Sequence, residues 1–273
     1  MFTLNCKGRL LVVDKPLVMG IINTTPDSFY EGSRFMDNSA ILQQAEQMLH
    51  EGADILDIGG QSTRPNSELV SEEEELKRVT SAIASLQAHF PEAILSIDTW
   101  YARVAAEAVA AGASMVNDIS SGMLDHQMLP TVAALKVPYV SMHMKGTPAT
   151  MQQHTHYDNL VREVLDFFIK KTADCHQAGI QDVIIDPGFG FAKTPAHNFT
   201  LLKNLAVFNM LKKPILIGLS RKSTVYKTLG ITAAEALNGT TVLNTIGLLN
   251  GAHILRVHDV KEAKEAVKLV SCL

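Results

Sequence analysis

Apolar positions along this chain follow two alternating rhythms. Short, near-continuous runs rich in β-branched residues are separated by longer segments whose apolar residues recur at helical spacing, the pattern of strand, loop and helix repeated. Eight runs read as strands: LVMGII (17–22), DILDIG (54–59), ILSID (94–98), SMVNDI (114–119), PYVSMH (138–143), DVIID (182–186), PILIGLS (214–220) and HILRVH (253–258). The spacing predicts helices over 38–51, 72–88, 101–111, 126–135, 157–178 and 196–210, within 222–250, and over 259–271. Strands apolar throughout and covered by amphipathic helices imply a parallel sheet buried on both faces. Eight such units in 273 residues predict an α/β fold: a closed (β/α)8 TIM barrel, one domain over residues 1–273, with residues 2–13 as a short N-terminal hairpin.

Each predicted strand runs into polar residues at its C-terminal end: Asn23, Asp57, Asp98, Asn117, His143, Asp186, Ser220 with Arg221, and Arg256 with His258. In a barrel these ends converge on one face, where strand ends and loops build active sites. Any one of them, taken alone, is equally a strand terminator or a cap for the next helix. The loops after the first two strands, 23–37 and 59–71, are longer than simple βα turns and read as substrate loops; the second carries Thr63, Arg64 and Pro65 side by side.

Composition narrows the partners. A chain that is 47% hydrophobic and 19% charged can bury a large core, and a net charge of −4 gives no global attraction for nucleic acid or an anionic membrane. An anionic ligand therefore needs a local constellation, and Arg221, Lys222, Arg256 and His258 at neighbouring strand ends supply one for a phosphate or diphosphate. Arg221 has a second reading, pointing outward to a helix carboxylate. Three widely spaced cysteines, Cys6, Cys175 and Cys272, lack the patterning of a disulfide framework or zinc site, so a reducing, cytoplasmic setting is expected. No apolar run is long enough to span a bilayer, and the N-terminal stretch lacks a signal-peptide pattern.

Asp98 and Asp186 end apolar strands, where an unpaired charge is costly. A metal is one partner, although no dense ligand cluster is present; the N–H edge of a ligand is the other. Two carboxylates, the carboxamide of Asn117 and the rings of Phe189 or Phe191 suit a flat, nitrogen-rich heterocycle.

Seven stretches in this order, NTTPDSF, GGQSTRP, SIDT, VNDI, DPGFGFAKT, SRKS and RVHDV, spread over nearly the whole chain, resemble the dihydropteroate synthase family of pterin-binding enzymes. The resemblance implies a (β/α)8 fold and a transferase of folate biosynthesis, the target of sulfonamides. Its reaction condenses 6-hydroxymethyl-7,8-dihydropterin diphosphate with 4-aminobenzoate to 7,8-dihydropteroate and pyrophosphate by an SN1-like course. Carried over, it implies that Asp98, Asn117, Met142, Asp186, Gly218 and Lys222 form the pterin pocket. Asn23, Thr63, Arg64, Arg256 and His258 would hold the diphosphate, with Asn23 also a Mg²⁺ ligand. Phe29, Thr63, Arg64, Pro65, Phe191, Lys222 and Ser223 would surround aminobenzoate, and Asp98, Asp186, Lys222, Arg256 and His258 would act in catalysis. A homodimer is expected by the same resemblance, with small-molecule substrates and neither nucleic acid nor membrane as partner.

Departures from the family pattern are Thr24 for the usual Val, Gln61 for Glu and Asn66 for Gly; none removes an implied ligand. Asp27 and Glu31 fit turn-shaping and solvent-facing roles. A corrinoid methyltransferase would share the pterin carboxylates but has no use for the Thr63–Arg64 loop together with Lys222, Ser223, Arg256 and His258. A non-catalytic pterin-binding protein and a Schiff-base aldolase using Lys222 are the remaining rivals. Blander readings cover the rest. Glu72–Glu75 suit the first turn of a helix capped by Ser71, and His50, His89, His126 and His176 suit helix surfaces. His143 fits a hydrogen bond at the barrel rim, Trp100 packing between strand and helix, and Met48, Met128 and Met210 the core.

Overall fold

A computed structural model describes residues 1–24, 38–61 and 70–273. It opens with an antiparallel hairpin, β1 (Phe2–Cys6) and β2 (Arg9–Val13). Eight parallel strands follow: β3 (Leu17–Asn23), β4 (Ile55–Gly59), β5 (Leu95–Asp98), β6 (Met115–Asp118), β7 (Tyr139–Met142), β8 (Val183–Asp186), β9 (Leu216–Ile217) and β10 (Ile254–Val257). Each pairs with its neighbour in chain order and β10 returns to β3, while a parallel bridge between Ile185 and Ile215 joins β8 to the start of the ninth strand and closes the barrel. Around it lie α1 (Asn38–His50), α2 (Glu72–His89), α3 (Ala102–Ala111), α4 (Met128–Leu135), α5 (Leu160–Ala178), α6 (Pro195–Lys203), α7 (Ser223–Leu229), α8 (Leu237–Leu249) and α9 (Val260–Val270).

Side chains alternate across a strand, so each strand divides its residues between the helix layer and the barrel interior. Val18, Ile22, Leu56, Ile58, Ile97, Val116, Tyr139, Ile185, Ile217 and Leu255 face outward into one large core shared with the helices. Met19, Ile55, Met115, Val140, Ile184, Leu216 and Ile254 face inward and fill the lower interior, with Leu4, Cys6 and Val13 of the hairpin plugging the bottom. Two residues further along the inward set the chemistry changes: Asp57 follows Ile55, Asn117 follows Met115, Met142 follows Val140, Asp186 follows Ile184, Gly218 follows Leu216 and Arg256 follows Ile254. The interior is therefore apolar below and polar above, and strand register places the polar layer at one level, with Asp57 opposite Ser96 and Met142 opposite Asp186.

Five local expectations differ. The ninth strand is two residues long because the chain leaves the sheet at Gly218 and turns through Arg221 at φ 52°. The 222–250 stretch divides into α7 and α8, and the 196–210 stretch into α6 and a 3-10 helix, Leu205–Leu211. In that 3-10 helix the three-residue period buries Leu205 and Phe208 and turns Val207 and Met210 to solvent, so Met210 is 66% exposed rather than core. Ser71 does cap α2, accepting from the Glu74 N–H, but Glu75 is fully buried, one turn inside against the strand layer. Met48 and Met128 are core residues, and His50, His89, His126 and His176 are exposed.

Candidate active site

At the centre of the upper interior one cation joins two carboxylates. Arg256 on β10 donates from Nε to Asp57 Oδ2 at 2.6 Å and from Nη2 to Asp98 Oδ2 at 2.7 Å, while Asn117 Nδ2 also donates to Asp57 Oδ2 at 2.9 Å. Asp57 is fully buried, and the Asp98 and Arg256 side chains keep 16% and 19% of their surface, on the side facing the mouth. Burial pushes the Asp98 carboxyl up to about 7; Arg256 pulls it back and Asp57 pushes it further. Burial alone would weaken the Arg256 charge, but Asp57 and Asp98 outweigh it and raise its pKa. Asn23 approaches from β3. A Cβ at Gly59 on the intervening strand would lie 3.7 Å from Asp98 Oδ2 and 3.8 Å from Asn23 Oδ1, so glycine there keeps the space beside both groups open.

A third carboxylate, Asp186, lies on β8. Asp186 Oδ1 accepts from the Gly188 N–H at 2.8 Å, and burial raises its pKa against the pull of Lys222 and that backbone donor. Lys222, the residue before α7, donates from Nζ to the Phe189 carbonyl at 2.6 Å and sits 4.9 Å from the centroid of the Phe191 ring. Its pKa is pulled down to about 8, by burial first, with Asp186 opposing. Gly218 keeps space beside this ammonium, since a Cβ there would lie 3.6 Å from Lys222 Nζ. His258 is exposed at the rim, its Nδ1 3.1 Å from Ser220 Oγ, and Ser223 opens α7 next to Lys222.

The wall beside these charges is apolar. Trp100, Ile119, Met142, Met144, Met151, Phe191 and Ala192 form a cluster separate from both cores. Trp100 thus belongs to the lip of the mouth rather than to a strand–helix seam. Phe189 is completely buried in the helix-side core, so of the two rings after Asp186 only Phe191, at 8% exposure, borders the mouth.

The structure therefore brings together Asn23, Asp98, Asn117, Met142, Asp186, Phe191, Gly218, Lys222, Ser223, Arg256 and His258 around one mouth. Phe29, Thr63, Arg64 and Pro65, with Asp27, Glu31 and Asn66, lie outside the described residues. Arg221 takes the outward reading: its guanidinium makes two bonds to Asp259, at 2.9 and 2.8 Å, and further bonds to the carbonyls of Ala233 and Ala234. Asp57 stands outside the ligand set that the resemblance implies, although it shares the inward parity of Ile55 and Gly59, the signal that marks it. Its neighbour in kind, Asp118, has the opposite parity. It accepts from Ser120 N and Oγ, Gly122 N and Tyr139 Oη, and holds a turn. Lys193 was also missed; it is 4% exposed behind Asp186 and bonded to His143.

Comparison with known proteins agrees with this geometry. Residues 19–258 match the model of the pterin binding enzyme family. The dihydropteroate synthase of Escherichia coli strain K12 is 41% identical over 266 residues, spanning 97% of this chain and 94% of that protein. Among solved structures, the Yersinia pestis dihydropteroate synthase with a sulfonamide drug superposes with a TM-score of 0.93 at 40% identity, covering 99% and 98% of the two chains. The Xanthomonas albilineans dihydropteroate synthase in complex with 7,8-dihydropteroate gives 0.90 at 38% identity, with the same coverage.

Removing the cation should expose what it neutralises. Arg256→Met is expected to cost about 3–5 kcal/mol of folding stability, the scale of an uncompensated buried charge. Asp98 already titrates above its unfolded value, and losing Arg256 raises it further, so the folded state holds protons the unfolded state releases. The penalty should therefore grow as pH rises above the ordinary carboxylate range, and urea unfolding should show a larger loss at pH 8 than at pH 5. Equal losses at both pH values would mean that Arg256 does not neutralise the pair.

Proposed function

The chain belongs to the pterin binding enzyme family, and from that premise we propose that it condenses 6-hydroxymethyl-7,8-dihydropterin diphosphate with 4-aminobenzoate to 7,8-dihydropteroate and pyrophosphate. The observation that carries this reading is the polar layer itself, in which Asp98, Asn117 and Asp186 face the same mouth as Arg256, Lys222 and His258. The carboxylates and the carboxamide suit the N–H-rich edge of a pterin, and Met142 and Gly218 leave a flat slot beside them. Arg256 and His258 lie where a diphosphate carried by that pterin can reach them. Phe191, Lys222 and Ser223 border the place of the aminobenzoate, the site at which a sulfonamide competes.

The chemistry follows from this separation of charge. Breaking the bond between the pterin methylene carbon and the diphosphate oxygen leaves a cation on carbon and negative charge on the leaving group. Asp98 and Asp186 stabilise the first, while Arg256 and His258 neutralise the second. The arylamine nitrogen then bonds to the methylene carbon and loses a proton, which the released pyrophosphate can accept; the amine is nucleophilic enough to need no dedicated base. The apolar lip of Trp100, Met142, Met144 and Phe191 keeps water from capturing the cation.

The residues present also fit Mg²⁺. No group of three or more His, Cys, Asp or Glu that could form a protein cage occurs among the described residues. Magnesium, however, is commonly held by one or two protein oxygens together with substrate phosphates and water. Asn23, whose carboxamide oxygen borders the same space beside Gly59 as Asp98 Oδ2, offers such a donor. When bound, the ion supplies further neutralisation of the departing diphosphate.

Oligomeric state and location belong to the same reading. Val242, Ile246 and Leu249 form an exposed stripe along α8, beside exposed Leu229 at the end of α7 and Phe199 on α6. Such a patch suits a symmetric dimer. No helix among the described residues is long and apolar enough to cross a membrane. Burial pushes the Cys6 and Cys175 thiols up to about 12, and these inert reduced groups fit a cytoplasmic setting, which fractionation of expressing cells would check.

Three outcomes are expected. Pyrophosphate release should require both substrates and fall on chelation of Mg²⁺, with dihydropteroate as co-product; tight pterin binding without product would overturn the synthase reading. The pH profile of kcat/KM should be a narrow bell, because Asp98 ionises only above about 7 while Lys222 stays protonated only below about 8. Asp98→Asn should remove the acid limb from whatever activity remains, and an unaltered bell would exclude that assignment. In sedimentation the chain should run as a dimer and Ile246→Glu as a monomer; a monomeric parent chain would remove the interface.

A further inference from the structure

Lys193 and His143 are buried, titratable and unused by the reaction as described. Lys193 Nζ meets three acceptors: His143 Nδ1 at 2.9 Å, the His143 carbonyl at 3.3 Å and the Phe191 carbonyl at 3.0 Å. These bonds tie the turn 187–193 to the end of β7. The turn connects both halves of the substrate pocket, since Asp186 leads into it and Phe191 lies within it. Its fit is tight at Gly188, where φ is 72° and an added Cβ would fall 2.0 Å from the His143 carbonyl oxygen and 3.4 Å from Lys193 Nζ. The His143 N–H in turn donates to the Asp186 carbonyl at 2.9 Å. His143 is fixed from behind, edge-on to Phe167 at 4.9 Å between ring centroids, with Tyr157 beyond it bonding the Ala192 carbonyl at 3.1 Å.

We propose that Lys193 is a positioning residue which, with His143 as its acceptor, sets the pterin carboxylate Asp186 and the aminobenzoate wall Phe191 in register with each other. The inference rests on the proposed synthase reaction. The charge pattern supports it. Burial, with Lys193 and Lys145 nearby, lowers the His143 pKa well below the usual histidine range, which leaves a neutral ring whose Nδ1 accepts when its proton is on Nε2. Burial pulls Lys193 down to about 7 and Asp186 holds it up, so the two form an electrostatic pair through the turn. None of the hydrogen bonds of Lys193 reaches Asn23, Arg256 or His258, so the diphosphate end of the site is independent of it.

That independence supplies the test. Lys193→Met should raise the KM for pterin diphosphate and for 4-aminobenzoate by about tenfold or more, the size of a lost charge-assisted hydrogen bond. Its affinity for pyrophosphate in the presence of Mg²⁺ should stay within about twofold of the parent. A role confined to folding would lower the active fraction, and with it kcat, while leaving both KM values unchanged; that result overturns the proposal, as does a full parental profile. If Lys193→Met fails to fold, His143 decides. His143→Asn places an acceptor oxygen where Nδ1 stands and should keep near-parental KM values, while His143→Leu should raise them; equal behaviour of the two overturns the proposal. Absence of turnover in the parent would count against the synthase reading alone. Pterin and pyrophosphate affinities of the same variants, read by calorimetry, would still decide the role of Lys193.

Discussion

One guanidinium shared between two carboxylates makes the upper interior of this barrel possible. Asp57 is fully enclosed, where an unpaired charge is costly, and Arg256 and Asn117 both bond to it. Arg256 can serve Asp57 and Asp98 together only because β10 and β4 both flank β3, which brings its fork over two neighbouring strands of inward residues. The apolar lower interior in turn depends on this arrangement. Alternation fixes which residues face inward, so a strand that contributes Ile254 to the plug contributes Arg256 to the site without further choice. Stability and chemistry are thus consecutive inward positions on the same strands.

The site divides by polarity as well as by charge. Asp57, Asp98 and Arg256 cluster on β4, β5 and β10, while the lip at and beyond the ends of β7 and β8 is built from Met142, Met144, Met151 and Phe191, with Asp186 as the carboxylate on that side. Lys222 sits at the boundary, its ammonium between a carbonyl, an aromatic face and Asp186. A substrate with a hydrogen-bonding edge, an anionic tail and an apolar partner ring matches this division. Arg221 shows how the boundary is held: it spends its guanidinium on Asp259 and on two carbonyls, and its own N–H donates to Thr240 at 3.0 Å. The strand-end turn can then present Lys222 inward from a backbone conformation that disfavours side chains.

Much of this was legible in the residues because periodicity reports burial directly. The eight strands, the hairpin and the convergence of Asp98, Asn117, Asp186 and Arg256 follow from apolar runs and what terminates them. What was illegible has physical causes. Phe189 and Phe191 look equivalent in a glycine-rich turn, and only the positive φ of Gly188 and Gly190 sends one ring into the core and the other to the mouth. Glu75 belongs to a run of four glutamates that reads as a solvated first turn; its burial depends on where α2 meets β4 and β5, a tertiary fact. Lys193 was hidden because a lysine near a mouth reads as a ligand or a surface group, and nothing local shows that its ammonium turns back on His143.

The departures from the family pattern become intelligible at the same level. Thr24, in place of the usual Val, adds a hydroxyl that donates to the Gly59 carbonyl at 3.2 Å beside the backbone bond already made there, so it reinforces the β3–β4 edge next to Asn23. Gln61, in place of Glu, donates to the Val70 carbonyl at 2.5 Å and accepts from the Val70 N–H at 3.0 Å. An ionised Glu could make only the second of these bonds. It would also stand beside Glu75, whose carboxyl burial has already pushed up to about 7, with the Gln61 and Thr99 side chains pulling the other way. Two carboxylates enclosed together cannot both ionise cheaply. The neutral amide closes the contact with Val70 at any pH and keeps a second carboxylate away from Glu75. The substitution therefore leaves one carboxylate rather than two at this contact, and Glu75 adds to the upward push of burial and Asp57 on Asp98, against the pull of Arg256.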